Sequence, residues 1–175
     1  MSDSREDEFF YLVEPELRGI LPLDALHISK SMQKFVKKTT FTVTLNQSFS
    51  EVIQACATSH GSTWISHDIE GLYTHLHATG DAHSIEVWDG VSLIGGLYGV
   101  TQGRAFFGES MFSRRTNASK LGLIKLVKHL IERGFILLDT QFLTDHLKSL
   151  GAIEIPQSEY LEKLNTALES DARFD

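Results

Sequence analysis

Two carboxylates and an amide interrupt apolar stretches in the C-terminal half of this sequence. Asp139 and Gln141 close the run LLDTQ (137–141), and Glu109 follows a pair of phenylalanines in FFGESMFS (106–113). With GGLYGV (95–100) and NASK (117–120), these blocks bring a buried acid and amide beside an apolar pocket and a polar helix start, a combination that suits acyl transfer. A carboxylate at the mouth of an apolar strand is costly to bury without a cationic partner, which makes a ligand amine an attractive counterpart for Glu109. The bland alternatives are a salt bridge from Glu109 to Arg114 or Lys120, and a turn-capping role for Asp139.

The elements that must position these residues follow from periodicity. Residues 28–38 put Ile28, Met32, Phe35 and Val36 on one helical face, and TFTVTL (40–45) then alternates like an edge strand. Ser48 or Ser50 is expected to cap a helix over 51–57, and Ser66 to start another that ends at Gly80. HSIEVW (83–88) and SLIGGLYGV (92–100) flank Asp89-Gly90, the clearest hairpin signal, and RAFFG (104–108) supplies a third strand. An amphipathic helix runs from Asn117 to Arg133 and stops at Gly134. FILLDT (135–140) reads as a buried strand, followed by a short helix TDHLKSLG, a strand AIEI and a final helix after Pro156. This order predicts an α+β fold with an acetyltransferase-like (GNAT-type) mixed sheet flanked by helices. With no internal repeat and only three prolines, a single catalytic domain over 16–175 is expected behind a short tail, 1–15.

Composition narrows the function classes. At 175 residues and 42% hydrophobic, the chain is long enough to bury about two thirds of its unfolded surface. The net charge of -7 excludes a uniformly basic nucleic-acid-binding surface but leaves room for local basic clusters. Cys56 is the one cysteine, expected as a buried inert thiol in a reducing compartment. The acidic start MSDSREDE is unlike a signal peptide, and no apolar run nears the roughly 18 residues that span a bilayer. A cytoplasmic protein without a membrane partner is expected. His75, His77 and His83 have no carboxylate or cysteine at metal-ligand spacing, so neither a metal nor another cofactor is expected.

In an acetyltransferase-like domain the helix after the meander receives a pyrophosphate on backbone N–H groups preceded by a glycine-rich loop. Here that loop reads SRRTNASK and lacks the glycines, so coenzyme A is a poor fit. Arg114, Arg115, Lys120, Ser113 and Thr116 suit a more extended phosphodiester.

Read in order, GGLYGV, FFGESMFSR, NASK, LLDTQ, HLKSLGA (146–152) and IPQSEYL (155–161) resemble the bacterial leucyl/phenylalanyl-tRNA-protein transferase family. The resemblance extends upstream through RGILPLD (18–24), HIS (27–29), TWI (63–65) and AHSIEVW (82–88). It implies transfer of Leu or Phe, with Met as a further candidate, from aminoacyl-tRNA to the α-amine of proteins beginning with Arg or Lys, creating an N-degron. The donor ester is already activated, so the enzyme positions two substrates and manages one proton.

The same resemblance implies residue roles. Asp139 and Gln141 match the family's acid and amide: Gln141, polarised by Asp139, accepts a hydrogen bond from the attacking amine, and residues two apart on a strand share a face. Glu109 matches the carboxylate that holds the donor's α-amine. Leu97, Phe106, Leu126 and Leu130 correspond to the side-chain pocket, with Ser110 and Met111 beside them, and an apolar slot discriminates by shape. Trp64 matches a tryptophan that stacks on the terminal adenosine. Lys30, Lys34, Lys37 and Lys38, with Arg114, Arg115, Lys120, Lys125 and Lys128, form the candidate path for the acceptor stem. A monomer is expected.

The chain also departs from the family. A GGDLS-like turn and an FPWF-like segment are missing, so an N-terminal subdomain is expected to be absent. Paired tryptophans are replaced by Leu12 and Val13, beside Tyr11 and Glu14, which alters one wall of the nucleotide site. Two other readings stand beside the transferase: an acetyltransferase-like enzyme with another acyl donor, and a catalytically silent binder of aminoacyl-tRNA or of protein N-termini.

Overall fold

A computed structural model describes residues 2, 4–6, 9, 12–59 and 63–175. Its strands are β1 (Leu17–Ile20), β2 (Thr42–Leu45), β3 (Ala82–Asp89), β4 (Ser92–Gln102), β5 (Ala105–Ser113), β6 (Leu137–Gln141) and β7 (Ile153–Pro156). Its helices are α1 (Lys30–Lys38), α2 (Phe49–Thr58), α3 (His67–Thr79), α4 (Ala118–Glu132), α5 (Asp145–Lys148) and α6 (Gln157–Leu168), with a 3-10 turn at Leu23–Ala25. The strands form one sheet in the order β2-β3-β4-β5-β6-β1-β7, antiparallel at every step except β5 to β6. This is a mixed sheet flanked by helices, as the order of elements predicts.

Helices cover both faces, which is why β3 and β4 are buried on alternate and intervening residues alike. On one face Leu97, Ile85, Phe106 and Leu138 pack against Leu123, Leu126, Val127 and Leu130 of α4. On the other, Tyr98, Phe112 and Leu93 pack against Phe49, Val52, Ile53 and Cys56 of α2 and Ile69 of α3. Tyr160 and Ala167 of α6 join Leu137, Ala105 and Ile155 in a third cluster. Met32 docks α1 on Val87, Ile94 and Leu121. Ser29 caps α1 through Met32 N, and Ser66 caps α3 through Ile69 N, whose far end closes at left-handed Gly80.

Three elements differ from the sequence reading. The β3–β4 hairpin turns at Gly90-Val91, one residue later than Asp89-Gly90, because a bulge at Val87/Trp88 shifts the register. β5 runs on through GESMFS to Ser113 instead of stopping at Gly108, because β4 keeps pairing with it. β1, a four-residue strand, is absent from the sequence reading and fills the gap between β6 and β7. Among the helices of the described residues, none is long and apolar enough to cross a membrane.

Two features open the sheet where chemistry is possible. Tyr98 pairs with Ser110 and Gly99 with Gly108, so Glu109 is the extra residue of a bulge. Gly99 permits this closeness, since a Cβ there would lie 2.2 Å from the Phe107 carbonyl oxygen. Beside it, β5 and β6 pair only over Ala105–Phe107 and Leu137–Asp139, and beyond that point they diverge around a cleft.

Candidate active site

Asp139 is fully buried at the end of the paired part of β6, on the sheet face that carries α6. Its neutralising partner comes from β1: Arg18 Nε lies 3.1 and 3.0 Å from the two carboxylate oxygens, and a terminal Arg18 nitrogen donates to Oδ2 at 2.8 Å. The Tyr160 hydroxyl donates to the same Oδ2 at 2.6 Å, while Oδ1 accepts the backbone N–H of Gln141 at 2.6 Å. Burial, then the bond to Asp139, pushes the Tyr160 phenol up, which keeps it a donor. Arg18 and Tyr160 lie outside the residues that sequence reasoning singled out as functional. Their signal was present, since both fall inside blocks that carry the family resemblance, RGILPLD and IPQSEYL.

The expected contact between Asp139 and the Gln141 side chain is replaced by another. Gln141 has φ 62°, which breaks the strand's alternation, so two residues of spacing no longer mean a shared face. Asp139 grips the Gln141 backbone, and the carboxamide Nε2 of Gln141 instead donates to Glu109 Oε2 at 2.8 Å. Tyr73 of α3, also unanticipated, provides a second side-chain hydrogen bond to Glu109. Glu109 forms no ion pair with Arg114 or Lys120; Arg114 reaches the Leu93 carbonyl at 3.1 Å and lies over the Phe112 ring. Burial raises the Glu109 carboxyl and the nearby Asp139 charge adds to this, while the bonds from Tyr73 and Gln141 and the Arg18 charge oppose it. Among the described residues, Glu109 is therefore a partly desolvated carboxylate with neutral donors and no cation in direct contact, the situation that a substrate ammonium relieves.

From Glu109 an apolar cavity of about 450 Å³ runs between the diverging strands toward α4. Leu97, Ser110, Met111 and Leu126 line it, joined by Leu123, Leu138 and Leu147. Phe106 and Leu130, expected in the same wall, are fully buried in the core behind it, where Phe174 stacks 5.7 Å from Phe106. Phe106 pairs with Leu138 and Leu130 lies one turn along α4 from Leu126, so both share the face of the lining residues but sit deeper in the core. Cys56 is buried as expected; burial pushes its thiol up to about 12, against a hydrogen bond from Ser110.

On the other side of the Glu109–Gln141 pair, Trp64, Tyr73, Arg18, Phe142, Leu12 and Val13 line a smaller cavity of about 160 Å³. Trp64 is half-buried against the α2–α3 cluster, so it is both a core residue and a cavity wall. Tyr11 lies outside the described residues. Lys34, Lys37 and Lys38 are exposed on α1, and Arg114 and Arg115 are exposed before α4. A groove lined by Val36 and Thr39 on one side and Lys125 and Lys128 on the other joins the two helices.

The start of α4 is already occupied by its own chain. Ser119 N donates to the Ser113 hydroxyl at 3.2 Å and Ala118 N to the Arg115 carbonyl at 3.1 Å, with left-handed Asn117 at the cap. Those N–H groups are not offered to a pyrophosphate, in keeping with the glycine-poor loop.

Known proteins resemble this chain along almost its whole length. The family model for leucyl/phenylalanyl-tRNA protein transferase matches residues 20–165. A leucyl/phenylalanyl-tRNA–protein transferase of Cereibacter sphaeroides is 53% identical over 174 residues, which cover 99% of this chain and 81% of that protein. The corresponding protein of Roseobacter denitrificans is 49% identical over 99% of this chain and 82% of its own length. Among solved structures, a conserved protein of unknown function from Staphylococcus epidermidis superposes with a TM-score of 0.52 at 8% identity, covering 80% of this chain and 57% of that one. With half its residues shared along almost its whole length, the chain belongs to the leucyl/phenylalanyl-tRNA-protein transferase family of aminoacyltransferases.

Proposed function

We propose that this protein transfers Leu or Phe, with Met as a further candidate, from aminoacyl-tRNA to the α-amine of proteins that begin with Arg or Lys, marking them for degradation. The observation that carries this reading is the Gln141–Glu109 hydrogen bond of 2.8 Å at the mouth of an apolar slot. The donor's side chain enters the slot lined by Leu97, Met111 and Leu126, and its α-ammonium binds Glu109. Because Nε2 of Gln141 is committed to Glu109, its carbonyl oxygen is left to accept a hydrogen bond from the attacking amine. That amine adds to the ester carbonyl, a C–N bond replaces the C–O bond, and the proton lost by nitrogen ends on the released ribose oxygen. Gln141 orients the nucleophile and takes no proton.

The terminal adenosine stacks near Trp64, whose cavity shares Glu109 and Gln141 with the reaction centre. Arg114, Arg115 and Lys120, with Lys34, Lys37 and Lys38, follow the acceptor stem. The self-capped start of α4 favours this donor over coenzyme A. The free thiol of Cys56 suits a cytoplasmic setting. The test is transfer of radiolabelled Leu or Phe from charged tRNA to peptides beginning with Arg or Lys, with an N-acetylated peptide as control. Label on the free-amine peptide alone supports the proposal; tRNA binding without transfer would leave a silent binder.

A further inference from the structure

We propose that Arg18 and Tyr160 are positioning residues for this transfer: they clamp Asp139 so that its carboxylate holds the backbone N–H of Gln141 and thereby aims the Gln141 carboxamide at Glu109. The inference rests on the transferase reading and adds residues to it. A carboxylate offers about four lone-pair sites. Oδ1 of Asp139 accepts Arg18 Nε at 3.1 Å and Gln141 N at 2.6 Å, while Oδ2 accepts Arg18 Nε at 3.0 Å, its terminal nitrogen at 2.8 Å and the Tyr160 hydroxyl at 2.6 Å. The group is saturated from protein donors and lines neither cavity, so it acts on substrate only through what it holds.

What it holds is a strained backbone. Gln141 has a left-handed φ of 62°, which side-chain-bearing residues rarely adopt, and Phe142 N closes the turn onto the Thr140 carbonyl at 2.7 Å. β1 presses on the same turn from its open side: Gly19 pairs with Gln141, and a Cβ at Gly19 would lie 2.9 Å from the Phe142 backbone. Arg18 therefore arrives on the strand that buttresses the turn, and Tyr160 reaches it from α6, its ring centroid 5.3 Å from the guanidinium carbon. Relaxation of the turn to ordinary strand geometry would send the Gln141 side chain away from Glu109. The clamp thus sets where the attacking amine is oriented, without touching it.

The test uses the full chain with two conservative variants, Tyr160→Phe, which keeps the ring, and Arg18→Lys, which keeps the charge. Both are expected to lower kcat for peptide aminoacylation by roughly ten- to a hundredfold, as misorientation does, with an unchanged KM for aminoacyl-tRNA in Tyr160→Phe, whose side chain lines neither cavity. In parallel, the Gln141 side-chain NH2 resonance, assigned by its loss in Gln141→Glu, is followed by ¹⁵N NMR and is expected to move in both variants. Undiminished kcat in Tyr160→Phe, a KM rise alone, or an unmoved resonance would each overturn the clamp. If the native protein makes no transfer while the resonance still moves, the clamp is supported and the transferase reading fails instead.

Discussion

Gln141 Nε2 and Glu109 Oε2 lie 2.8 Å apart although the two residues come from strands that have already stopped pairing, so this hydrogen bond bridges the mouth of the cleft. Burial holds the Glu109 carboxyl above its ordinary range. Its ionised form is the one that binds an ammonium, so donor affinity is expected to fall as pH drops through that raised range. Glu109→Gln should weaken aminoacyl-tRNA binding by about ten- to a hundredfold, the worth of a charge-assisted hydrogen bond, and flatten the pH dependence. Titration of Leu-tRNA affinity from pH 8 to pH 5 checks both.

Asp139→Ala is expected to cut turnover at least about tenfold with little loss of aminoacyl-tRNA binding, because Gln141 loses its anchor while the donor sites remain. It also strands the Arg18 guanidinium, which should cost about 3 kcal/mol of stability. Single-turnover transfer and denaturant unfolding separate the two effects.

Donor choice should respond to the slot wall. Leu126→Phe fills part of the cavity beside Met111 and is expected to lower kcat/KM for Phe-tRNA relative to Leu-tRNA by about tenfold. A ratio that stays constant would move the side-chain site elsewhere.

Charge reversal at Arg114 and Arg115 is expected to weaken tRNA binding uniformly across sequences and to reduce the slope of log affinity against log salt by roughly one unit for each phosphate no longer neutralised. Both arginines are exposed before α4, where a phosphodiester can reach them. An unaltered slope would place the RNA on another face.

His83 gives the fold a pH dependence away from the site. It is buried, stacked 4.0 Å from Phe174, and burial lowers it to about 4, partly opposed by Asp175. The unfolded chain binds a proton near pH 6.5 and the folded chain only near 4, so stability is complete above 6.5 and lost as pH falls through that window. The loss is on the order of 3 kcal/mol. Thermal unfolding of the native protein and of His83→Gln at pH 7 and pH 5 should show a smaller pH effect in the variant.

The legible parts of the sequence were those with a local signature. Ser66 with Gly80 bounded α3, and the apolar period from Leu121 to Leu130 announced α4. Glu109, Asp139 and Gln141 drew attention because a polar group in an apolar run must have a partner, and the family resemblance supplied the roles proposed for them. Their partners were hidden because they act over distance: Arg18 comes from a strand too short to carry a pattern, and Tyr160 from a helix face that reads as ordinary core. The direction of Gln141 was equally invisible, since alternation assumes extended backbone and a single left-handed residue reverses it. Phe106 and Leu130 share the apolar face of the slot residues, and spacing marks such a face without giving depth along it; both pack in one cluster with Phe174.

β1 lies between β6 and β7, and its Arg18 meets Asp139 across 121 residues of sequence. The β3–β5 meander with its helices can associate through neighbouring segments, but β6 and β7 have no edge in common until the early strand is laid between them. Long-range closures of this kind are slow, so the seat of Gln141 is expected to be among the last parts of the molecule to form during folding. A nascent chain stopped short of β6 would hold the whole β3–β5 meander with Glu109 but neither Asp139 nor Gln141, so the Gln141–Glu109 bridge must wait for the later strand.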